Sequence, residues 1–265
     1  MKFRLPIIIL KVGLGLGLSW GAEPVIQDSA QTSVLVCGGA LMVRDRFPGD
    51  SDRIIREHFA GCRRLVLVLH ATHPQDRDKM EGRLQAAFAH LGLTFAESLH
   101  RLDAVGAKAS LEAADGIFVG GGETFVLLAE LQQTGQLGVI QKRVRAGVPF
   151  LGVSAGANIA GMVIGTTNDF PTAEIASRSG LALLPVTINP HHPLALELGD
   201  FEGRSQKITA YLRFNPEEFV LGLGNASLVR WHHGRGALVA GSAWIYHSGR
   251  RRELTLGEAV PELVR

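Results

Sequence analysis

Residues 148–163 read VPFLGVSAGANIAGMV: an apolar run, Val148–Val153, then Ser154, then a small-residue run, Ala155–Val163, with helical character. The centre, Gly152-Val153-Ser154-Ala155-Gly156, has the form G-x-S-x-G between a strand-like and a helix-like segment. A sharp strand-to-helix turn of this kind lifts a serine hydroxyl out of a sheet at its carboxyl edge. Small neighbours are required because the backbone there is strained and adjacent chains pack closely. The N–H of Ala155, at the start of the helix, is then aimed where an oxyanion would form. The alternative for the same residues is a Gly-rich turn in which Ser154 only caps the helix.

Outward from this turn the pattern is a repeated alternation of buried strand and amphipathic helix. Ser33–Cys37, Leu65–Leu69 and Gly116–Val119 are short apolar runs of the sort buried on both faces of a parallel sheet. Asp52–Ala60, Asp76–Leu91, Phe125–Gln132 and Leu137–Ala146 carry apolar residues at helical spacing. This alternation predicts βαβ units and a doubly wound, mostly parallel α/β sheet. Towards the C-terminus, Leu228–Trp231 and Ala237–Tyr246 alternate as strands around the turn His232–Gly236, predicting antiparallel strands added to the same domain. No linker-like stretch or repeat divides residues 30–265, which are read as one domain.

Composition supports an ordinary folded protein: 46% hydrophobic and 20% charged residues, 32 Gly and only 2 Cys in 265 residues. A formal charge of +2 is too small to indicate a nucleic-acid partner. Residues 1–22 have a basic start at Lys2 and Arg4, an apolar stretch Ile7–Leu18, and small residues Gly21 and Ala22, the layout of a secretory signal peptide. Its removal would take Lys2, Arg4 and Lys11 from the 27 basic residues, leaving 24 against 25 acidic ones. The expectation is a periplasmic or secreted protein without membrane insertion after processing, or a cytoplasmic one if the segment is not a signal. No other apolar run approaches the roughly 20 residues of a membrane span. Cys37 and Cys62 could pair in an oxidising compartment; two buried free thiols is the plainer reading.

Two further stretches carry chemistry. Gly120-Gly121-Gly122-Glu123-Thr124 follows a strand and precedes a helix, so it lies at a carboxyl edge, where open α/β sheets place their sites. It lacks both G-x-G-x-x-G and a Walker lysine, and is better read as a second source of oxyanion N–H groups than as a phosphate cradle. Downstream, Thr166–Pro171 (TTNDFP) and Ile188–Pro193 (INPHHP) offer an acid and a base after the serine. The order Ser…Asp…His is one of several that build the same geometry. His192 is the rival base. His70 and His73 have no carboxylate or thiolate partner at ligand spacing, so no metal is expected. His232 and His233 are assigned to a turn.

The combination GGG-x-T, GxSAGAN, TTND-x-P and INPH, from about Ser33 onward, resembles the peptidase E (α-aspartyl dipeptidase) family, whose relatives include the cyanophycinases. The resemblance implies a flavodoxin- or glutaminase-like α/β fold without a cofactor. It implies Ser154 as nucleophile, His191 as base, Asp169 as the acid that orients it, and Gly122 and Ala155 as oxyanion donors. The segment 201–208 (FEGRSQKI) resembles the family's region for holding an aspartyl carboxylate and points to Arg204. The implied reaction is hydrolysis of a short peptide after an N-terminal aspartate. A cyanophycinase-like cleavage of β-aspartyl-arginine and an idle flavodoxin-like binding module are the alternatives. The chain departs from the family pattern at Glu123, where asparagine usually follows the three glycines. Oligomeric state is left open.

Overall fold

A computed structural model describes residues 32–263; the proposed signal peptide lies outside them. The apolar runs fold as predicted into parallel strands alternating with helices. In chain order these are β1 (Ser33–Cys37), α1 (Asp50–His58), β2 (Leu65–Val68), α2 (Arg77–His90), β3 (Ala96–Ser98), α3 (Ala104–Glu112), β4 (Gly116–Val119), α4 (Thr124–Gln133), α5 (Gln136–Arg145), β5 (Phe150–Val153) and α6 (Ala155–Ala160). The last third follows as β6 (Thr187–Pro190), α7 (Leu198–Phe214), β7 (Val220–Leu223), β8 (Leu228–His232), β9 (Arg235–Ala240), β10 (Ala243–His247), β11 (Arg250–Glu253) and β12 (Ala259–Val260).

The main sheet runs β12-β9-β8-β1-β5-β4-β2-β3. Strands β1, β5, β4, β2 and β3 pair in parallel, whereas β8, β9 and β12 add antiparallel at one edge. The parallel strands β1, β2 and β4 and all of β5 but Val153 are buried or nearly so, as strands covered by helices on both faces must be. One apolar cluster under α4–α6 and another under α1 and α2 sandwich this sheet.

The structure departs from the sequence expectation in the last third. The run Ala237–Tyr246 is not one strand: Gly241, at φ 75°, turns the chain so that β9 stays on the main sheet. Strand β10 joins a second sheet of order β11-β10-β7-β6, in which β6 and β7 are parallel. The helix after Ser154 also stops at Ala160 rather than Val163. Gly161 is extended there, and a Cβ on it would lie 2.5 Å from Val186 O. Cys37 and Cys62 are free thiols, held near the carbonyls of Gly39 and Asp115 respectively.

The two sheets meet edge to edge at Gly38-Gly39, immediately after β1. Gly38 N–H donates to Ser227 O, Ala226 N–H donates to Gly39 O at 2.7 Å, and His191 N–H donates to Gly38 O at 3.0 Å. A Cβ on Gly38 would stand 2.2 Å from the carbonyl oxygens of both Leu223 and Gly224. Only a glycine permits this approach of backbone to backbone. Gly38→Ala is therefore expected to lower the unfolding free energy by about 3 kcal/mol, the upper range for forced overpacking. Urea denaturation of the two proteins reads it directly, and a loss below about 0.5 kcal/mol would show that the seam yields.

Candidate active site

Five carboxyl-edge loops converge here: those after β1, β4 and β5 of the main sheet and after β6 and β7 of the second. Ser154 follows β5, which is flanked by β1 and β4. Its backbone sits at φ 54°, ψ −111°, a region costly for any residue with a side chain. The turn is anchored by Ser154 N–H donating to Cys37 O at 2.9 Å and by Asn158 N–H donating to Ser154 O at 2.8 Å. Gly152 and Gly156 cannot carry side chains, since a Cβ on either would press to within 2.4 Å of a carbonyl oxygen. The hydroxyl does not cap α6. Its Oγ instead lies 2.7 Å from His191 Nε2.

His191 follows β6 and is itself left-handed, at φ 53°. Gly39 makes room for its ring: a Cβ there would fall 2.2 Å from His191 Cε1. The other ring nitrogen, Nδ1, is 2.7 Å from the side-chain Oδ1 of Asn225. Because that oxygen can only accept, the arrangement fixes the proton on Nδ1 and leaves the Nε2 lone pair facing the serine hydroxyl. This is the tautomer a general base needs.

Asp169, to which the resemblance gives the place beside the imidazole, is not hydrogen-bonded to His191. Its Oδ2 accepts from the Thr124 N–H at 2.9 Å, at the start of α4, and lies 3.3 Å from the Thr167 hydroxyl. The loop that carries it is tied beside the imidazole by its neighbour Asn168. The Asn168 amide donates to Pro190 O at 2.8 Å and its Oδ1 accepts from Asn189 Nδ2 at 3.2 Å. Asp169 thus lines the cavity that contains Ser154 and His191 while its carboxylate pairs with α4. Sequence reasoning missed Asn225. It follows the Gly-rich end of β7, and an amide in a turn carries no titratable signature.

The remaining residues sort by position. Gly121 packs against the nucleophile, with an added Cβ 2.9 Å from Ser154 Cβ and 3.4 Å from its Oγ. Gly122 has φ 133° and no room for a Cβ, which would stand 2.1 Å from Ala71 O. The N–H groups of Gly122 and Ala155 have no hydrogen-bond partner among the described residues. Glu123 turns aside, its carboxylate accepting from the Thr172 hydroxyl at 2.9 Å. His192 is buried with its ring nitrogens on Tyr246 Oη (2.8 Å) and Pro193 O (2.9 Å), and burial drives its pKa down to about 4. It does not compete with His191.

Arg204, on α7, is half-buried beneath the His191 loop. Its Nη1 donates to Asn189 Oδ1 at 2.9 Å, Pro190 O at 3.2 Å and His191 O at 3.4 Å. No carboxylate of the described residues lies within ion-pair distance of it, and burial pulls its pKa below the ordinary guanidinium value. It lines a polar cavity of about 540 Å³ with Lys207, Glu197 and Asp200, bounded on one side by His191 and Asn225. On the other side of the imidazole, the Ser154 cavity of about 390 Å³ has an apolar wall of Leu41, Met42, Phe47, Met80, Leu84 and Phe118.

His70 and His73 stand apart from the nucleophile. Buried His70 places Nε2 2.9 Å from Gln136 Oε1 and Nδ1 3.0 Å from Glu130 Oε1. Asp78, Glu81 and His100 could share a cation by their spacing. The Arg101 guanidinium already meets both acids there, at 3.0 and 2.8 Å. No helix among the described residues is long and apolar enough to cross a membrane.

Comparison with known proteins gives a consistent family. A family model described as peptidase family S51 matches residues 34–239. Peptidase E of Shewanella denitrificans is 33% identical over 197 residues, covering 73% of this chain and 82% of that protein. Peptidase E of Salmonella typhimurium is 34% identical over 198 residues, covering 74% and 85%. In fold, the chain is similar to the crystal structure of a peptidase from an acI-B1 actinobacterium, with a TM-score of 0.60 at 16% identity, over 86% of this chain and 96% of that one.

The neutral Asn225 sets a pH signature. Asn225→Asp would put an anion on Nδ1 and favour the imidazolium, so the acid limb of kcat/KM for a hydrolysed peptide should move to higher pH by about 1 unit or more. Asp169→Asn should leave that limb in place. The reverse pattern would return the orienting role to Asp169.

Proposed function

The chain belongs to peptidase family S51, and from that membership and the geometry around Ser154 we propose that it is a serine exopeptidase acting on short peptides with N-terminal aspartate. The observation that carries the reading is the 2.7 Å contact between Ser154 Oγ and His191 Nε2, made on a strained turn beside two unpartnered backbone donors.

In the proposed reaction His191 Nε2 takes the proton as Ser154 Oγ attacks the carbonyl of the first residue. The N–H groups of Gly122 and Ala155 stabilise the oxyanion that forms, acting as preorganised dipoles that need no reorientation. The protonated imidazole then gives its proton to the leaving amine, and the acyl-enzyme remains on Ser154. Water repeats the cycle in the second half, with the same imidazole as base. Asn225 holds the ring through its Nδ1 proton. A neutral amide serves in this role in cysteine enzymes with a Cys-His-Asn constellation.

Arg204 supports the aspartyl preference. A partly desolvated guanidinium with no acid partner, and with Nη2 and Nε free of hydrogen bonds among the described residues, suits a bidentate carboxylate. The apolar wall of the Ser154 cavity fits an apolar side chain on the residue that leaves. The layout of residues 1–22 favours a periplasmic or secreted protein, where peptides from outside the cell would be its substrates.

The test is a dipeptide panel with purified protein and Ser154→Ala as blank. Asp-Leu should be hydrolysed, and the alanine variant should lose about four decades or more of kcat with folding unchanged. Asp-Leu should also turn over faster than Asp-Ser. β-Aspartyl-arginine, assayed alongside, would be the better substrate if the cyanophycinase-like alternative held. Activity surviving in Ser154→Ala ends the acyl-enzyme reading.

A further inference from the structure

We propose that Asp169 binds the free α-ammonium of the substrate's first residue, and so restricts the enzyme to peptide N-termini. The inference rests on the exopeptidase reading above and adds to it a residue and a charge.

Asp169 lines the same cavity as Ser154 and His191, yet its carboxylate bonds to neither. One oxygen, Oδ2, is held by the Thr124 N–H and lies near the Thr167 hydroxyl. The other, Oδ1, has no partner among the described residues, and no Lys, Arg or His among them forms an ion pair with this side chain. The same cavity is lined by the apolar side chains of Leu41, Met42, Phe47, Met80, Leu84 and Phe118. A fixed carboxylate in such a cavity is stabilised by a cation brought from outside.

The substrate supplies one at the required place. In any amino acid residue the α-nitrogen lies about 2.5 Å from its own carbonyl carbon, from bond lengths of about 1.46 and 1.52 Å and an angle near 111°. Bringing that carbonyl to Ser154 Oγ therefore brings the ammonium into the cavity that Asp169 lines. An internal peptide would present there an amide, which carries no positive charge and extends into a longer chain. Together with Arg204, across the imidazole, Asp169 would match both charges of an N-terminal aspartyl residue.

The matched ligands are Asp-Leu and succinyl-leucine, which differ only in the ammonium. Calorimetric titration of the Ser154→Ala protein should show Asp-Leu binding roughly 10- to 100-fold more tightly, as befits one charge-assisted hydrogen bond. In Ser154→Ala/Asp169→Asn that preference should fall to about 1, with succinyl-leucine bound as before. Asparagine still offers an oxygen to the Thr124 N–H, so a purely capping role would leave the preference intact or weaken both ligands equally. Either of those results overturns the proposal. So does equal binding of the two ligands, or binding of neither, to the protein with Asp169 unaltered, a comparison that needs no change at this position. Failure of the parent reading is separate: it is absence of Asp-Leu hydrolysis by the wild-type protein.

Discussion

The site depends on one close approach: the seam at Gly38-Gly39, where the end of β1 meets the second sheet. The nucleophile belongs to the main sheet and the imidazole to the second, so no single element holds both. Their 2.7 Å separation is set by how nearly the two carboxyl edges come together. At the seam the backbone of Gly38 takes a hydrogen bond from His191 N–H and gives one to Ser227 O, while Cys37 O anchors the nucleophile's own N–H. Cys37, the last residue of β1, and Gly38, the next, therefore hold the backbones of Ser154 and His191 respectively. A side chain on Gly39 would occupy the space of the imidazole itself. A displacement of about 1 Å at a reacting group can cost a hundredfold in rate, so the proposed reaction would depend on this seam.

The second constraint is electrostatic. A carboxylate against the Nδ1 proton would stabilise the imidazolium as it forms, whereas Asn225 fixes the tautomer without adding charge. In the proposed reaction, stabilisation of the transition state would then fall more heavily on the N–H groups of Gly122 and Ala155, placed where charge would develop. The strain in the turn serves that end. Ser154 stands at φ 54° and Gly122 at φ 133°, and the N–H groups of Gly122 and Ala155, the latter a first-turn donor of α6, have no partner among the described residues.

What the sequence made legible follows from the range of each signal. The parallel strands and their helices were readable because apolar periodicity is local, and the elbow because its small residues answer a steric demand within five positions. The placements of Asp169 and Asn225 were not readable, because they depend on which loop reaches the imidazole from across the seam. Chain order offered Asp169, a titratable residue between serine and histidine; space offered an amide that comes after both. The split at Gly241 was hidden for a similar reason. Ala237–Tyr246 alternates smoothly as a sequence, and only the turn at φ 75° assigns its halves to different sheets.

The imidazole also divides the cleft. His191 borders the polar cavity that holds Arg204 and Lys207 as well as the apolar one that holds Ser154, so a ligand filling both must cross it. A short peptide with a charged first residue and an apolar second one has its change of character at the peptide bond between them. Burying the first residue's side-chain carboxylate against the apolar wall would cost several kcal/mol, and burying the apolar end among Arg204, Lys207, Glu197 and Asp200 would forfeit its hydrophobic gain. On the proposed function, the register of lowest free energy would set that bond against Ser154 Oγ. In the proposed reaction selectivity and positioning would then have a common origin: the same contrast in polarity that chooses the peptide would also align its carbonyl for attack.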